Sequence, residues 1–158
     1  MIKFANFFVS LSFAGYIKLI PPGTFASFLS IVILFPIVEY KIISLEIFIV
    51  IFIVIFLLSL FFINKFSSHR QSHDSKIIVI DEFLGIYLIL LFYDQIKIIN
   101  PYVTMMLIFI LFRFFDILKI FPANIIDRKL KSAFGVILDD LIAGIYTIII
   151  LYIVNAYF

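Results

Sequence analysis

Two pairs of adjacent carboxylates stand out in this chain of 158 residues, Asp81-Glu82 and Asp139-Asp140. Each pair lies at the head of an apolar run of the sequence. Carboxylates that come together at such positions repel one another unless protons or a cation intervene. Because the chain has no cysteine and only two histidines, the available ligands are oxygens. Oxygen ligands suit a hard cation, and we expect Mg²⁺ held by carboxylates and a substrate phosphate.

A glycine follows each acidic pair by about one helical turn. Gly85 shares a helical face with Asp81, and Gly144 shares one with Asp140. Small residues at this spacing let two helices approach closely in lipid. The two apolar runs are therefore predicted to pack against each other and to bring their carboxylates together.

The stretch from residue 112 to residue 144 concentrates charge between two apolar segments. Its four acidic residues, of ten in the chain, are Asp116, Asp127, Asp139 and Asp140. Its five basic residues, of twelve in the chain, are Arg113, Lys119, Arg128, Lys129 and Lys131. These cations supply positive partners for an anionic head group. A cation site, a phosphate site and a membrane face together predict phosphoryl chemistry on a lipid.

Each of these features also has an ordinary structural explanation. A basic loop beside a membrane helix is commonly a topology signal. An acidic pair that opens a helix is commonly a cap that satisfies free backbone N–H groups. Grouped carboxylates could also serve a small cation-coupled transporter or channel subunit, although such a protein should carry polar groups near the middle of its spans.

The composition places the protein in a membrane. Hydrophobic residues make up 65% of the chain and charged residues only 14%, with a mean hydropathy of +1.28, whereas a soluble domain is about a quarter charged. We expect one integral-membrane domain over residues 1–158. The net charge of +2 does not argue for nucleic acid as a partner, and anionic membrane lipid is the expected partner of the basic loops.

The apolar runs predict an all-α, polytopic membrane bundle with about five inserted helices and a short interfacial or re-entrant N-terminal helix. The N-terminal helix is expected over residues 4–20, where Pro21 and Pro22 stop it. The inserted runs are residues 25–38, 42–63, 83–93, 103–112 and 139–154. The third and fourth runs are short for full spans, so they are expected to be tilted, sheltered or partly inserted. Pro122 is expected to end the helix that carries Arg113.

Two polar segments leave alternatives open. In residues 22–27, PGTFAS, Thr24 is either an ordinary helix cap or one of several groups that face a phosphate at a helix N-terminus. The loop of residues 64–76 carries His69 and His73, which could share a metal, but it lacks the apolar positions that would support a helix. Because the loops of residues 64–76 and 113–135 hold most of the basic residues, both are predicted to be cytoplasmic. Five parts of the chain then deliver polar groups to one membrane surface.

Three motifs in order resemble the phosphatidylglycerophosphatase A family. They are VIDEFLG at residues 79–85, FRFFDILKIFP at residues 112–122 and GVILDDLIAG at residues 135–144, preceded by PGTFAS at residues 22–27 and by Asp74. The resemblance implies a Mg²⁺-dependent phosphatase of the bacterial inner membrane. Its expected reaction converts phosphatidylglycerophosphate to phosphatidylglycerol and phosphate, with the active site facing the cytoplasm.

The motifs also indicate which residues form the site. The residues expected to ligate metal or to position the attacking group are Asp81, Glu82, Asp116, Asp139 and Asp140, with all of these except Asp116 as metal ligands. The residues expected to bind phosphate are Thr24, Arg113, Lys119 and Arg128. The chain departs from the family pattern at Ala26, Ile120 and Ser132-Ala133, where the family usually has glycine, proline and a glycine pair. These departures affect the loop geometry around residues 120–135.

Overall fold

The computed structural model describes residues 2–17, 20–70, 77–98 and 100–157, and over these residues it contains helices and no strand. The helices are α1 (Ile2–Val9), α2 (Pro22–Glu39), α3 (Leu45–Arg70), α4 (Ile80–Leu91), α5 (Tyr93–Ile96), α6 (Pro101–Leu118), α7 (Ala123–Lys129) and α8 (Ala133–Tyr157). A single 3-10 turn, Ala14–Tyr16, lies between α1 and α2. The predicted all-α class is confirmed.

Four of these helices, α2, α3, α6 and α8, are long and apolar enough to cross a membrane. The fifth helix of the bundle, α4, has 12 residues and packs among the others. Leu84, Ile86 and Ile89 of α4 are fully buried, and the Tyr87 hydroxyl donates to the Phe48 carbonyl of α3 at 2.9 Å. The short run at residues 83–93 is therefore sheltered by its neighbours, which is one of the three alternatives predicted for it.

The close packing of α4 on α8 depends on the two glycines found in the sequence. A Cβ atom at Gly85 would lie 2.5 Å from the Phe112 ring and 3.1 Å from the Asp140 carbonyl oxygen. A Cβ at Gly144 would lie 3.0 Å from the Gly85 carbonyl oxygen. The prediction that small residues let these two helices meet is confirmed.

The N-terminal helix is shorter than predicted. It ends at Val9 rather than at the prolines, because Leu11, Ser12 and Phe13 all adopt a positive φ that no α-helix continues through. The turn that results supports the entry to α4, since the Val79 N–H donates to the Val9 carbonyl at 2.9 Å. The N-terminal region thereby helps to hold the segment that precedes Asp81.

Three other helix boundaries correct the sequence predictions. Residues 64–70, predicted as loop, continue α3, and the reason is that Phe66 is buried with only 1% of its surface exposed. Helix α6 ends at Leu118, before Pro122, because Lys119 is left-handed with φ 44° and ψ 58°. Helix α8 begins at Ala133, so Asp139 and Asp140 lie about two turns inside it. These aspartates are not helix caps.

Candidate active site

A cavity of about 330 Å³ opens where α2, α4 and α8 begin and where α6 ends. Its charged lining residues come from four helices and the turns beside them. The carboxylates are Asp81, Glu82, Asp116, Asp127, Asp139 and Asp140, and the cations are Arg113, Lys119 and Lys131. Carboxylates thus outnumber cations in the lining. An anionic group could enter such a cavity favourably only with an added cation.

Three of the carboxylates form a compact group. Asp81, Glu82 and Asp140 each offer one oxygen, and these oxygens all lie within 4.8 Å of one another. Asp140 is 4% exposed. In the described part of the chain, Glu82 Oε2 is buried with no hydrogen-bond partner. A set of oxygen donors that includes one unsatisfied buried oxygen suits Mg²⁺ or a similar hard cation.

Helices α4 and α8 supply this group. Asp81 and Glu82 lie in the first turn of α4, and Asp140 meets them because α8 crosses α4 at the two glycines. The start of α2 closes the cavity from another side at Gly23, where a Cβ atom would overlap Glu82 Oε1 and lie 3.1 Å from Arg113 Nη1. The site therefore needs a residue without a side chain at Gly23.

Asp139 lies beside the compact group but has a different partner. Its Oδ2 accepts a hydrogen bond from Lys119 Nζ at 2.7 Å, and the same ammonium donates to Asp127 Oδ1 at 2.6 Å. Burial alone would lower the pKa of Lys119, but the hydrogen bonds to Asp127 and Asp139 and the charges of both carboxylates outweigh it. They raise the pKa of Lys119 above its ordinary value. Lys119 is therefore a fixed positive charge at the cavity.

Arg113 is the second cation of the cavity that the sequence predicts to bind phosphate. Its guanidinium pairs with Asp116 on the next turn of α6, and Nη1 also lies 4.0 Å from Glu82 Oε1. The Arg113 side chain is only 14% exposed. Its Nε is buried and has no hydrogen-bond partner among the described residues. A buried N–H donor without a partner beside a cavity is suited to an oxyanion.

Seven of the nine predicted site residues line this cavity, and two do not. The two outside the lining are Thr24 and Arg128, although Gly23 and Lys131 close to them in sequence do line it. The Ser27 hydroxyl donates to the Gly23 carbonyl at 2.8 Å, so it is engaged within α2. His73 and Asp74 lie outside the residues that the structure describes. The same is true of the side chain of His69.

Asp127 lines the cavity without having been assigned a role from the sequence. It is eight residues after Lys119, which follows the end of α6, and the start of α7 lies between the two residues. Helical spacing cannot connect two residues across such a break. The sequence offers one weak indication of a role for Asp127, because it is an acidic residue directly before the basic residues Arg128 and Lys129.

Comparison with known proteins decides the family. The sequence model described as phosphatidylglycerophosphatase A matches residues 7–155, a range that includes every residue of the cavity lining. The chain belongs to the phosphatidylglycerophosphatase A family. The motif resemblance seen in the sequence is thereby confirmed, and the chain is a lipid phosphatase rather than a transporter.

Two relatives illustrate the similarity. The chain is 32% identical over 134 residues to phosphatidylglycerophosphatase A of Haemophilus influenzae. The aligned residues make up 85% of this chain and 78% of that relative. It is 31% identical over 83 residues to phosphatidylglycerophosphatase A of Escherichia coli K12, which covers 52% of this chain and 46% of that relative. No solved structure matches the fold.

Proposed function

We propose that this protein hydrolyses phosphatidylglycerophosphate to phosphatidylglycerol and phosphate in a Mg²⁺-dependent reaction. We further propose that the reaction takes place at the cytoplasmic surface of a bacterial inner membrane and that one integral-membrane domain carries it out. The observation that carries the proposal is the group of Asp81, Glu82 and Asp140, with carboxylate oxygens within 4.8 Å of one another, in one cavity with Arg113 and Lys119. Family membership supports the lipid substrate.

The three grouped carboxylates are the proposed metal ligands. When bound, Mg²⁺ would neutralise phosphate oxygens and make the phosphorus more open to attack. Asp139, the fourth ligand predicted from the sequence, bonds Lys119. It is proposed to act at the site through that lysine. The carboxylate-rich lining would repel the substrate phosphate in the absence of a cation, which supports the proposed dependence on metal.

The phosphate monoester of the substrate is proposed to bind Arg113 and Lys119. Arg113 has a buried Nε available to a phosphate oxygen. Lys119 donates two of its three N–H groups to carboxylates, which leaves one for the substrate. Lys131 lines the cavity and takes the place that the sequence gave to Arg128. Thr24 lies outside the lining and has no proposed contact with the substrate.

Hydrolysis forms a bond from a water oxygen to phosphorus and breaks the bond from phosphorus to the glycerol oxygen. One proton of the water passes to that glycerol oxygen, and the other stays on the phosphate product. Asp116 lines the cavity outside the compact group, and its pairing with Arg113 fixes its carboxylate. We assign Asp116 to positioning the attacking water beside the phosphate that Arg113 binds. Positioning of this kind is a large part of catalysis in phosphoryl transfer.

The segment that joins Lys119 to Asp127 supports a location at a membrane surface. Phe121 and Ile125 of this segment are exposed apolar side chains, which suit the lipid interface. Arg128 and Lys129 in the last turn of α7 are exposed cations. Basic residues of this kind favour the cytoplasmic side. The lipid chains can then stay in the bilayer while the head group reaches the carboxylates.

Substrate selectivity tests the proposed function. Purified protein is expected to release phosphate from phosphatidylglycerophosphate, a monoester, and not from phosphatidylglycerol, a diester, because a diester has no terminal phosphate for Arg113 and Lys119 to bind. Colorimetric detection of phosphate measures both reactions. Equal release from both lipids, or none from the monoester in the presence of Mg²⁺, would contradict the proposal.

A further inference from the structure

Lys119 owes its position to the end of α6. It adopts a left-handed conformation directly after Leu118, which ends the helix at that residue. The side chain then reaches two other helices, with Nζ at 2.6 Å from Asp127 Oδ1 of α7 and 2.7 Å from Asp139 Oδ2 of α8. A lysine ammonium has three N–H donors. Two are used by these carboxylates, and one remains.

The two carboxylates differ in their surroundings. The side chain of Asp139 is 9% exposed, whereas that of Asp127 is 40% exposed. With Asp139 alone, a flexible lysine side chain could swing about a single anchor toward the neighbouring carboxylate of Asp140. Because Asp127 of α7 also accepts a hydrogen bond from Lys119, Nζ is held between two helices. An ammonium that is fixed in this way loses little freedom when it binds a ligand.

We propose that Asp127 is a positioning residue for the substrate phosphate. Together with Asp139 it holds Lys119 so that the remaining N–H is available to an oxygen of a phosphate monoester, or of the inorganic phosphate product, in the cavity. This inference rests on the proposed function for its substrate. Asp127 itself touches Lys119 and has no assigned contact with the lipid.

A purely structural role for Asp127, as a link between α7 and α8, makes a different prediction. Helix α7 and the turns beside it are attached to α8 in other ways. The Tyr146 hydroxyl donates to the Phe121 carbonyl, Ala123 is buried, and Gly135 lies so close to Leu130 that a Cβ atom would overlap its carbonyl oxygen. Loss of the Asp127 charge is therefore expected to leave α7 in place.

The test uses full-length protein in detergent with Asp127→Asn, Asp127→Glu and a control, Asp94→Asn. Asp94 also pairs with two lysines but lies outside the cavity lining. Asp127→Asn is expected to weaken binding of inorganic phosphate, measured by calorimetry with Mg²⁺ present, and to raise KM by roughly tenfold to a hundredfold. Asp127→Glu should recover part of the loss, and the melting temperature should match that of the control.

A double-mutant cycle shows whether Asp127 acts through Lys119. In a Lys119→Ala background, Asp127→Asn is expected to cause no further loss of phosphate affinity. The same factor in both backgrounds would overturn the inference, as would an affinity equal to that of Asp94→Asn. A parallel loss of melting temperature in both Asp127 variants would also overturn it, because a purely structural role predicts that loss.

Calorimetry keeps this test separate from the test of the proposed function. A wild-type protein that binds phosphate but does not hydrolyse the lipid would contradict only the proposed function.

Discussion

Gly144 of α8 lies against the backbone of Gly85 in α4, where a Cβ on Gly144 would stand 3.0 Å from the Gly85 carbonyl oxygen. Each glycine follows a carboxylate of the compact group by about one turn. The closeness of the two helices at this crossing therefore sets how near Asp81 can come to Asp140. A backbone contact buried in the bundle thus determines the geometry of the proposed metal ligands.

Gly85→Ala tests this relationship. The new Cβ would lie 2.5 Å from the ring of Phe112, which is fully buried and has little room to move. We expect a loss of about 1–3 kcal/mol in stability, as overpacking usually costs, and a fall in phosphatase activity as the helices separate. Gly144→Ala places a Cβ 3.0 Å from the Gly85 carbonyl oxygen at the same crossing, so it should act in the same direction with a smaller effect. Melting temperature and rate measure both variants, and unchanged activity in both would argue against the crossing as the control of site geometry.

The sequence predicted this crossing because it depends on short-range spacing within each helix. The identity of the acidic pairs, their one-turn distance from glycine and the apolar runs around them are all local features. Helix ends were less predictable. Residues 64–70 are polar enough to read as a loop, yet the burial of Phe66 in the bundle extends α3 through them. Tertiary packing there overrides local composition.

Asp140→Asn separates a ligand role from a structural one. The substitution keeps the size of the side chain and removes its charge. Since Asp140 lies about two turns inside α8, the change removes no helix cap. We expect phosphate release to fall by several orders of magnitude while the protein stays folded and inserted. Asp94→Asn, a change of the same chemistry outside the cavity, should keep nearly full activity. Near-normal rates for Asp140→Asn would remove this residue from the proposed metal ligands.

Arg113→Lys tests the proposed phosphate contact. Lysine keeps the positive charge but lacks a counterpart of Nε, the buried donor with no partner in the described structure, and it cannot form the same fork. We expect KM to rise roughly tenfold to a hundredfold, the range for a lost hydrogen bond to a charged group. A steady-state titration with phosphatidylglycerophosphate gives this value. An unchanged KM with a lower kcat would instead assign Arg113 to orienting Asp116.

The partners of the two adjacent aspartates show the limit of sequence reasoning. Asp139 and Asp140 look equivalent in the sequence, and both were predicted to hold metal. On a helix, neighbouring side chains point about 100° apart, so Asp140 joins the compact group while Asp139 bonds Lys119. The rotation of α8 about its axis relative to α4 decides which of the two aspartates faces the compact group and which faces Lys119. The sequence does not specify that rotation.

Topology is tested by single cysteines in this cysteine-free chain. Ser68 lies in the last turns of α3 and Ser132 lies just before α8, whereas Tyr157 lies at the far end of α8. A membrane-impermeant thiol reagent added to intact cells should label Tyr157→Cys. It should miss Ser68→Cys and Ser132→Cys until the membrane is opened. Labelling of Ser68→Cys and Ser132→Cys from opposite sides would contradict a single cytoplasmic site.

The most direct test of the central claim is phosphate release from phosphatidylglycerophosphate by purified protein under control of metal. The account predicts no release in excess chelator, full release when Mg²⁺ is restored, and none in either condition for Asp140→Asn, because the grouped carboxylates of Asp81, Glu82 and Asp140 are the proposed ligands of the required cation. Full activity of the wild-type protein in excess chelator would contradict it.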